Sequence, residues 1–356
     1  LPFFPPEPAE NAIPTNFIWA RTIRCPHCEG LVPLSPNWRL APDGTGARML
    51  PEKGKGPGDT TRHVRFAIVS KAKEQSPGTV SGGDATCPFD DCGRLISGDH
   101  IKAEAQAGRM GEQLYTVVFK KKLITGYTKA SKPKEKWVRG YRAPSPEDDV
   151  SQAVAEALAE KLPDWEAMDM VPTERVPTDI NDDRPIQYGM PLWRDLFSPR
   201  QLLGHCTAVE MFRELIEEEK AAGRWNEVTA AAFAYLSLSL DKMLNYNSRM
   251  SVWMSTREVM ANTFNRHDFA FCWSHAEMAP LIVGLGYDWA IEQTAKCIGE
   301  LVALTRLDAG ATASPQSKFN FDGAPAFTPP PVTLTCKSGD SLDHIADASI
   351  DAVVKI

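Results

Sequence analysis

Apolar and polar positions alternate with a strand-like period early in the chain and with a helix-like period later on. Over residues 16–142, short runs rich in β-branched and aromatic residues are separated by Gly/Pro-rich stretches. This predicts strands at Phe17–Arg24, His63–Val69, Leu114–Lys121 and Trp137–Tyr141. The Gly-, Pro- and Lys-rich stretch Asp43–Thr61 reads as a flexible loop. A short helix is predicted over Asp149–Leu162, and residues 190–305 are helical. Ser198-Pro199-Arg200-Gln201 joins an N-cap serine, a proline at the first helical position and a glutamine three past the cap. Leu202, Cys206, Val209, Phe212 and Ile216 then share one face, and the helix stops near Gly223. A second helix follows with Val228, Ala231, Tyr235, Leu238 and the Met243/Leu244 pair turned inward. A third covers Asp288–Leu304 through Ile291, Ala295, Ile298 and Val302. After a loop over Asp308–Pro331, the pattern gives a strand (Val332–Cys336), a short helix (Ser341–Ile345) and a last strand (Ile350–Ile356).

With 356 residues, 43% of them hydrophobic, the chain can bury a real core and is expected to hold two or three domains. A net charge of −7 excludes a wholly basic surface but leaves room for a local basic face. Such a face is written in the sequence. Residues 109–142 hold ten Lys/Arg against two Glu, and residues 143–184 hold three Lys/Arg against twelve Asp/Glu. That reversal reads as a domain boundary. No apolar run approaches the roughly 20 residues of a bilayer span and no leader pattern opens the chain, so a cytoplasmic protein with no membrane partner is expected. The start at Leu1 without methionine and the end on a strand-like run suggest an internal piece of a longer protein.

Eight cysteines in such a chain are too sparse for a disulfide scaffold. Four of them form two knuckles, Cys25-Pro-His-Cys28-Glu-Gly30 and Cys87-Pro-Phe-Asp-Asp-Cys92-Gly93, each after a strand-like segment. A tight turn of this kind puts two thiolates on one side of a metal and aims backbone N–H groups at the sulfurs. The nearby glycine relieves the turn. Cys25, Cys28, Cys87 and Cys92 are therefore the candidate ligands of a structural Zn2+, with His27 as a less suitable substitute inside the first knuckle. Cys206, Cys272, Cys297 and Cys336 sit singly in apolar patterns and read as core. Trp193, Trp253 and Trp273 read as core as well.

The expected fold class is α+β: a zinc-ribbon β-rich domain (1–142), an acidic linker with a short helix (143–189) and a helical domain (190–308). A linker (309–331) and the beginning of a Rossmann-like α/β unit (332–356) complete it. Lys120, Lys121, Lys122, Lys136, Arg139 and Arg142, interleaved with Tyr127, Trp137 and Tyr141, suggest a surface for the backbone of double-stranded DNA. A solvated face that balances the acidic stretch is an equally good reading of them. Asn247, Arg249, Asn262, Arg266 and His267 suit turns and caps better than ligand contacts.

Several blocks together resemble the prokaryotic adenine-specific DNA methylases that contain a zinc ribbon. They are Phe17-Ile-Trp-Ala-Arg-Thr-Ile-Arg-Cys-Pro-His-Cys28, Gly78-Thr-Val with the second knuckle, and Tyr188-Gly-Met-Pro-Leu-Trp-Arg-Asp-Leu-Phe-Ser-Pro-Arg-Gln201. Tyr246-Asn-Ser, Asn262-Thr-Phe, Trp273 to Glu277, Cys336-Lys-Ser-Gly-Asp-Ser341 and Ser349-Ile-Asp-Ala-Val-Val354 follow in order. The resemblance implies an S-adenosyl-L-methionine-dependent DNA adenine N6-methyltransferase, with this stretch as a recognition and DNA-positioning insert. It also implies further proteins of a modification or phage-defence system as partners. It places Gly339 and Asp340 near the cofactor, although Asp340 also suits a cap of the following helix. The family's Gly-rich cofactor loop and Asp-Pro-Pro-Tyr motif are not in these 356 residues, so this stretch by itself is not expected to methylate DNA. The alternative is a non-catalytic zinc-ribbon module that binds nucleic acid or protein.

Overall fold

The computed structural model describes residues 3–54, 61–127, 132–178, 183–264, 271–282 and 284–305. In chain order, β1 (Ala12–Arg24) and β2 (Leu31–Leu34) flank the first knuckle, and β3 (Gly46–Glu52) and β4 (His63–Val69) form a hairpin. β5 (Val80–Ser81), β6 (Asp84–Thr86) and β7 (Leu95–Ile96) surround the second knuckle, followed by α1 (Gly98–Gln106), β8 (Gly111–Tyr127) and β9 (Pro133–Arg142). The remainder comprises α2 (Ser151–Ala167), α3 (Arg184–Gln187), α4 (Pro199–Ala221), α5 (Glu227–Tyr246), the hairpin β10 (Val252–Met254) and β11 (Val259–Ala261), β12 (Ser274–Met278) and α6 (Gly286–Thr305).

The protein is α+β, and its main sheet is antiparallel in the order β12-β1-β8-β9. One edge of β1 carries two strands in succession. Asn16–Ala20 pair with β12 and Arg21–Arg24 with β2, while the other edge pairs with β8. β1 is covered on both faces, so apolar residues replace the usual alternation. Ile18, Ala20 and Ile23 join the main core, and Phe17 packs with Val117 and Ala279 on the opposite face. Trp38, Phe66 and Tyr115 meet with ring centroids 5.1–5.4 Å apart and fix the β3–β4 hairpin to the sheet.

Several boundaries differ from the sequence expectation, each for a physical reason. The stretch read as a loop over Asp43–Thr61 contains β3, whose pairing runs from Gly46 opposite Val69 to Glu52 opposite His63. Ala47 and Met49 pack into the core, which outweighs the local Gly/Pro content. The helix expected to end at Leu162 continues through Pro163 to Ala167. Fully buried Trp165, whose indole N–H donates to Glu210, repays the hydrogen bond that proline forfeits. α4 begins at Pro199 with Ser198 and Gln201 in a reciprocal capping box, as the sequence indicates. α5 and α6 are present, but Val228, Tyr235, Leu238, Ile291 and Val302 are exposed rather than inward, and Cys297 is exposed as well. Cys206 is buried and Cys272 partly so, and Trp193, Trp253 and Trp273 are half-buried against the core clusters.

Residues Leu1–Leu301 form one compact unit, and β12 beyond the acidic segment completes the sheet begun by β1. The divisions expected at 142 and 189 run through that unit. The expected Rossmann-like piece over 332–356 and its preceding linker lie outside the described residues, as do Lys129, Arg266, His267 and Cys336. No helix among the described residues is long and apolar enough to cross a membrane.

Candidate metal centre and nucleic-acid interface

The first knuckle grows out of the end of β1. Cys25 N–H donates to the Gly30 carbonyl, and Glu29 N–H donates back to the Cys25 carbonyl, both at 2.9 Å. That closure holds Glu29 in the left-handed region at φ 59°. In the second knuckle Cys92 and Gly93 donate to the Phe89 carbonyl at 2.8 and 2.9 Å, with Gly93 at φ 55°. Phe89, almost wholly buried, packs so close to Gly30 that a Cβ there would lie 2.4 Å from its ring. The two turns are thereby locked together, and Gly30 is required by packing.

The four sulfurs converge. Cys25 Sγ lies 3.8 Å from Cys92 Sγ, Cys28 Sγ lies 3.6 Å from Cys87 Sγ, and all four fall within 4.8 Å of one another. Tetrahedral coordination with Zn–S bonds of about 2.3 Å sets the sulfurs about 3.8 Å apart. The observed spacing fits a metal of this kind, with four donors and no open position. Backbone N–H groups of Gly30, Phe89 and Arg94 donate to the sulfurs of Cys28, Cys87 and Cys92. Burial raises the Cys28 and Cys87 thiols. At Cys92 burial also pushes upward, but the Arg94 N–H and the neighbouring thiols outweigh it and its pKa falls below the ordinary thiol value. His27 stands apart from the cluster, with Nε2 3.2 Å from the Leu95 carbonyl.

The expected DNA-contacting residues lie on β8 and β9, which outrun the rest of the sheet. The pairing of β1 with β8 ends at Ala12 opposite Lys121, and from there the two strands continue as a free ribbon. Opposed residues share a face, and successive pairs alternate. Lys120 opposite Arg139 and Lys122 opposite Trp137 therefore share one face. Lys121 opposite Val138 and Lys136 opposite Leu123 occupy the other. Lys122 Nζ lies 5.6 Å from the Trp137 ring and 2.5 Å from Glu135, and Trp137 is 47% exposed.

Arg142 is engaged elsewhere. It forms a fork with Asp148 at 2.6 and 2.8 Å and reaches Glu7 at 2.9 Å, and its side chain is only 20% exposed. These carboxylates hold its pKa above the ordinary guanidinium value. It ties the ribbon's foot to the start of the acidic segment instead of facing solvent. Asn247 is structural in the same way, with its side-chain oxygen accepting from Met278 N–H at 2.9 Å. One participant gave no sequence signal. Glu258 sits in the β10–β11 turn at φ 52°, accepts from the Tyr141 hydroxyl at 2.6 Å and lies 3.7 Å from Arg139. Gly339 and Asp340 lie outside the described residues. Comparison of the chain with protein-family models, with curated proteins and with solved structures returns no match.

Proposed function

We propose that this chain is the DNA-engaging part of an S-adenosyl-L-methionine-dependent DNA adenine N6-methyltransferase, with zinc on the four cysteines as its structural staple. The DNA part is carried by one observation: a projecting two-stranded ribbon whose one face sets Lys120, Lys122 and Arg139 beside an exposed Trp137. A two-stranded ribbon suits a major groove about 12 Å wide, and the cations neutralise phosphates there. The choice of zinc rests on the all-thiolate, closed donor set, which disfavours magnesium and calcium. Methyl transfer rests on the sequence resemblance alone. Within that reading the cofactor supplies an electrophilic methyl group, and the resemblance implies that Gly339 and Asp340 serve its binding.

The test is the salt dependence of duplex binding followed by fluorescence anisotropy. Three phosphate-neutralising cations give a log–log slope of about −2.7. Lys122→Ala is expected to bring it about one unit closer to zero. Affinity that does not change with salt overturns the DNA reading. A full-length sequence without an Asp-Pro-Pro-Tyr motif after Ile356 overturns the methyltransferase part and leaves a non-catalytic nucleic-acid-binding module.

A further inference from the structure

At the foot of the ribbon, the face that carries Lys122 and Trp137 runs into a cavity of about 420 Å3 between β8, β9, the β10–β11 hairpin, the end of α5 and the start of α6. Three cations line it, Lys120, Arg139 and Arg257, together with three aromatic residues, Tyr246, Trp253 and Trp289. Its one acid, Glu258, is already engaged by Tyr141 and Arg139. The cavity therefore carries an excess of positive charge beside flat apolar walls.

Two features of this arrangement cost stability in the free protein. Lys120 and Arg139 stand directly opposite each other across the strand pair, where like charges repel. Burial, and then Arg139, hold the Lys120 ammonium below its usual pKa. Glu258 meanwhile occupies a left-handed conformation that a residue with a Cβ adopts at some cost. An anion between the cations would relieve the first of these. The aromatic walls ask that the anion carry a flat ring, since stacking on aromatic side chains is how unpaired bases are held. The cavity's size lies within the range of small-ligand sites.

We propose that this cavity binds a nucleoside 5′-monophosphate unit, with its base among Tyr246, Trp253 and Trp289 and its phosphate on Lys120, Arg139 and Arg257. The inference rests on the nucleic-acid reading for its choice of ligand, because Lys120 and Arg139 belong to the ribbon face. Either a free nucleotide or an unpaired nucleotide of a strand supplies this chemistry. Asn262 also lines the cavity and offers a side-chain amide that can meet a base edge.

Calorimetry on the zinc-loaded chain with adenosine 5′-monophosphate, cytidine 5′-monophosphate, adenosine and inorganic phosphate tests the proposal. Both monophosphates should bind one per chain, and adenosine and phosphate at least tenfold more weakly. Lys120→Gln and Arg257→Gln should each weaken monophosphate binding about tenfold, without lowering the thermal midpoint of the free protein. Arg257 is on an exposed turn, so its variant keeps the test valid if Lys120→Gln folds poorly. Competition between the monophosphate and a 5′-phosphorylated single strand assigns the site to strand nucleotides, and its absence assigns the site to free nucleotides. Inorganic phosphate binding as tightly as the monophosphates overturns the proposal, and so does no monophosphate binding up to about 1 mM. Duplex DNA binding that stays salt-dependent in the latter case leaves the proposed function standing. Monophosphate binding without any duplex binding reverses that outcome.

Discussion

Replacing Glu277 by alanine removes one half of an ion pair that the fold has sealed from water. Glu277 is 1% exposed at the side chain and Arg200 is 6% exposed. The guanidinium donates through Nε and Nη2 to the two carboxylate oxygens at 2.8 and 2.7 Å. The Trp19 indole adds a bond to Oε2 at 3.1 Å, and Phe4 and Phe17 lie 4.6 and 4.4 Å from the guanidinium carbon. The pair joins the first turn of α4 to β12, so it holds the helical part against the main sheet. Glu277→Ala leaves a buried charge with aromatic neighbours and no anion, a change that costs about 3–5 kcal/mol. For a unit of this size that corresponds to a fall of about 5–8 °C in the thermal midpoint. Arg200→Met combined with Glu277→Leu should recover most of the loss, because an apolar pair of similar volume carries no desolvation penalty. Urea unfolding followed by tryptophan fluorescence measures both. A loss below about 1 kcal/mol in Glu277→Ala would mean that water reaches the pair, and the packing of α4 on β12 would have to be redrawn.

Acid should destabilise the protein through His205 and His275. Burial holds both at about 4; at His275 Glu112 pulls upward while Arg21, Arg249 and Arg200 push downward with burial. The unfolded chain binds these protons first, so their contribution is full above about pH 6.5 and is lost as pH falls towards 4, by about 3 kcal/mol each. Unfolding midpoints that stay flat from pH 7 to 5, with zinc retained, contradict this. Gly189→Ala should cost at least about 2 kcal/mol. Gly189 has φ 77°, and a Cβ there would meet the Ala105 carbonyl oxygen at 2.2 Å. A melting curve unchanged from wild type would refute that reading. Arg142→Met should lower stability by about 3 kcal/mol, because it strands Asp148 and Glu7 in a buried site. It should leave duplex affinity within about twofold, and a large loss of affinity in a still-folded variant returns Arg142 to the interface.

The four-cysteine cluster was legible because each half of it is local. Cys25 with Cys28 and Cys87 with Cys92 each form one turn, and Gly30 and Gly93 mark those turns in the sequence. The start of α4 was legible for the same reason, since Ser198, Pro199 and Gln201 act within four residues. What stayed hidden depends on distant partners. β3 is a strand because β4 pairs with it, and α2 passes Pro163 because Trp165 finds Glu210 on another helix. The composition around Lys120–Arg142 showed a basic run, but its division into two faces is set by the β8–β9 register. The removal of Arg142 from that run is set by the fork with Asp148 and completed by Glu7, which lies 135 residues away. The cavity lined by Lys120, Trp253, Arg257 and Trp289 draws on elements scattered from β1 to α6, and no spacing along the chain reports it.

In the proposed function, zinc on the four converging sulfurs of Cys25, Cys28, Cys87 and Cys92 staples the two knuckles together under the ribbon. The most direct measurement is elemental analysis joined to zinc X-ray absorption on protein purified without added metal. One zinc per chain, with four sulfur neighbours at about 2.3 Å, is the predicted result. Well under one zinc per chain, or a first shell that needs nitrogen or oxygen, with Cys25 and Cys87 freely alkylated in the native protein, would contradict the account.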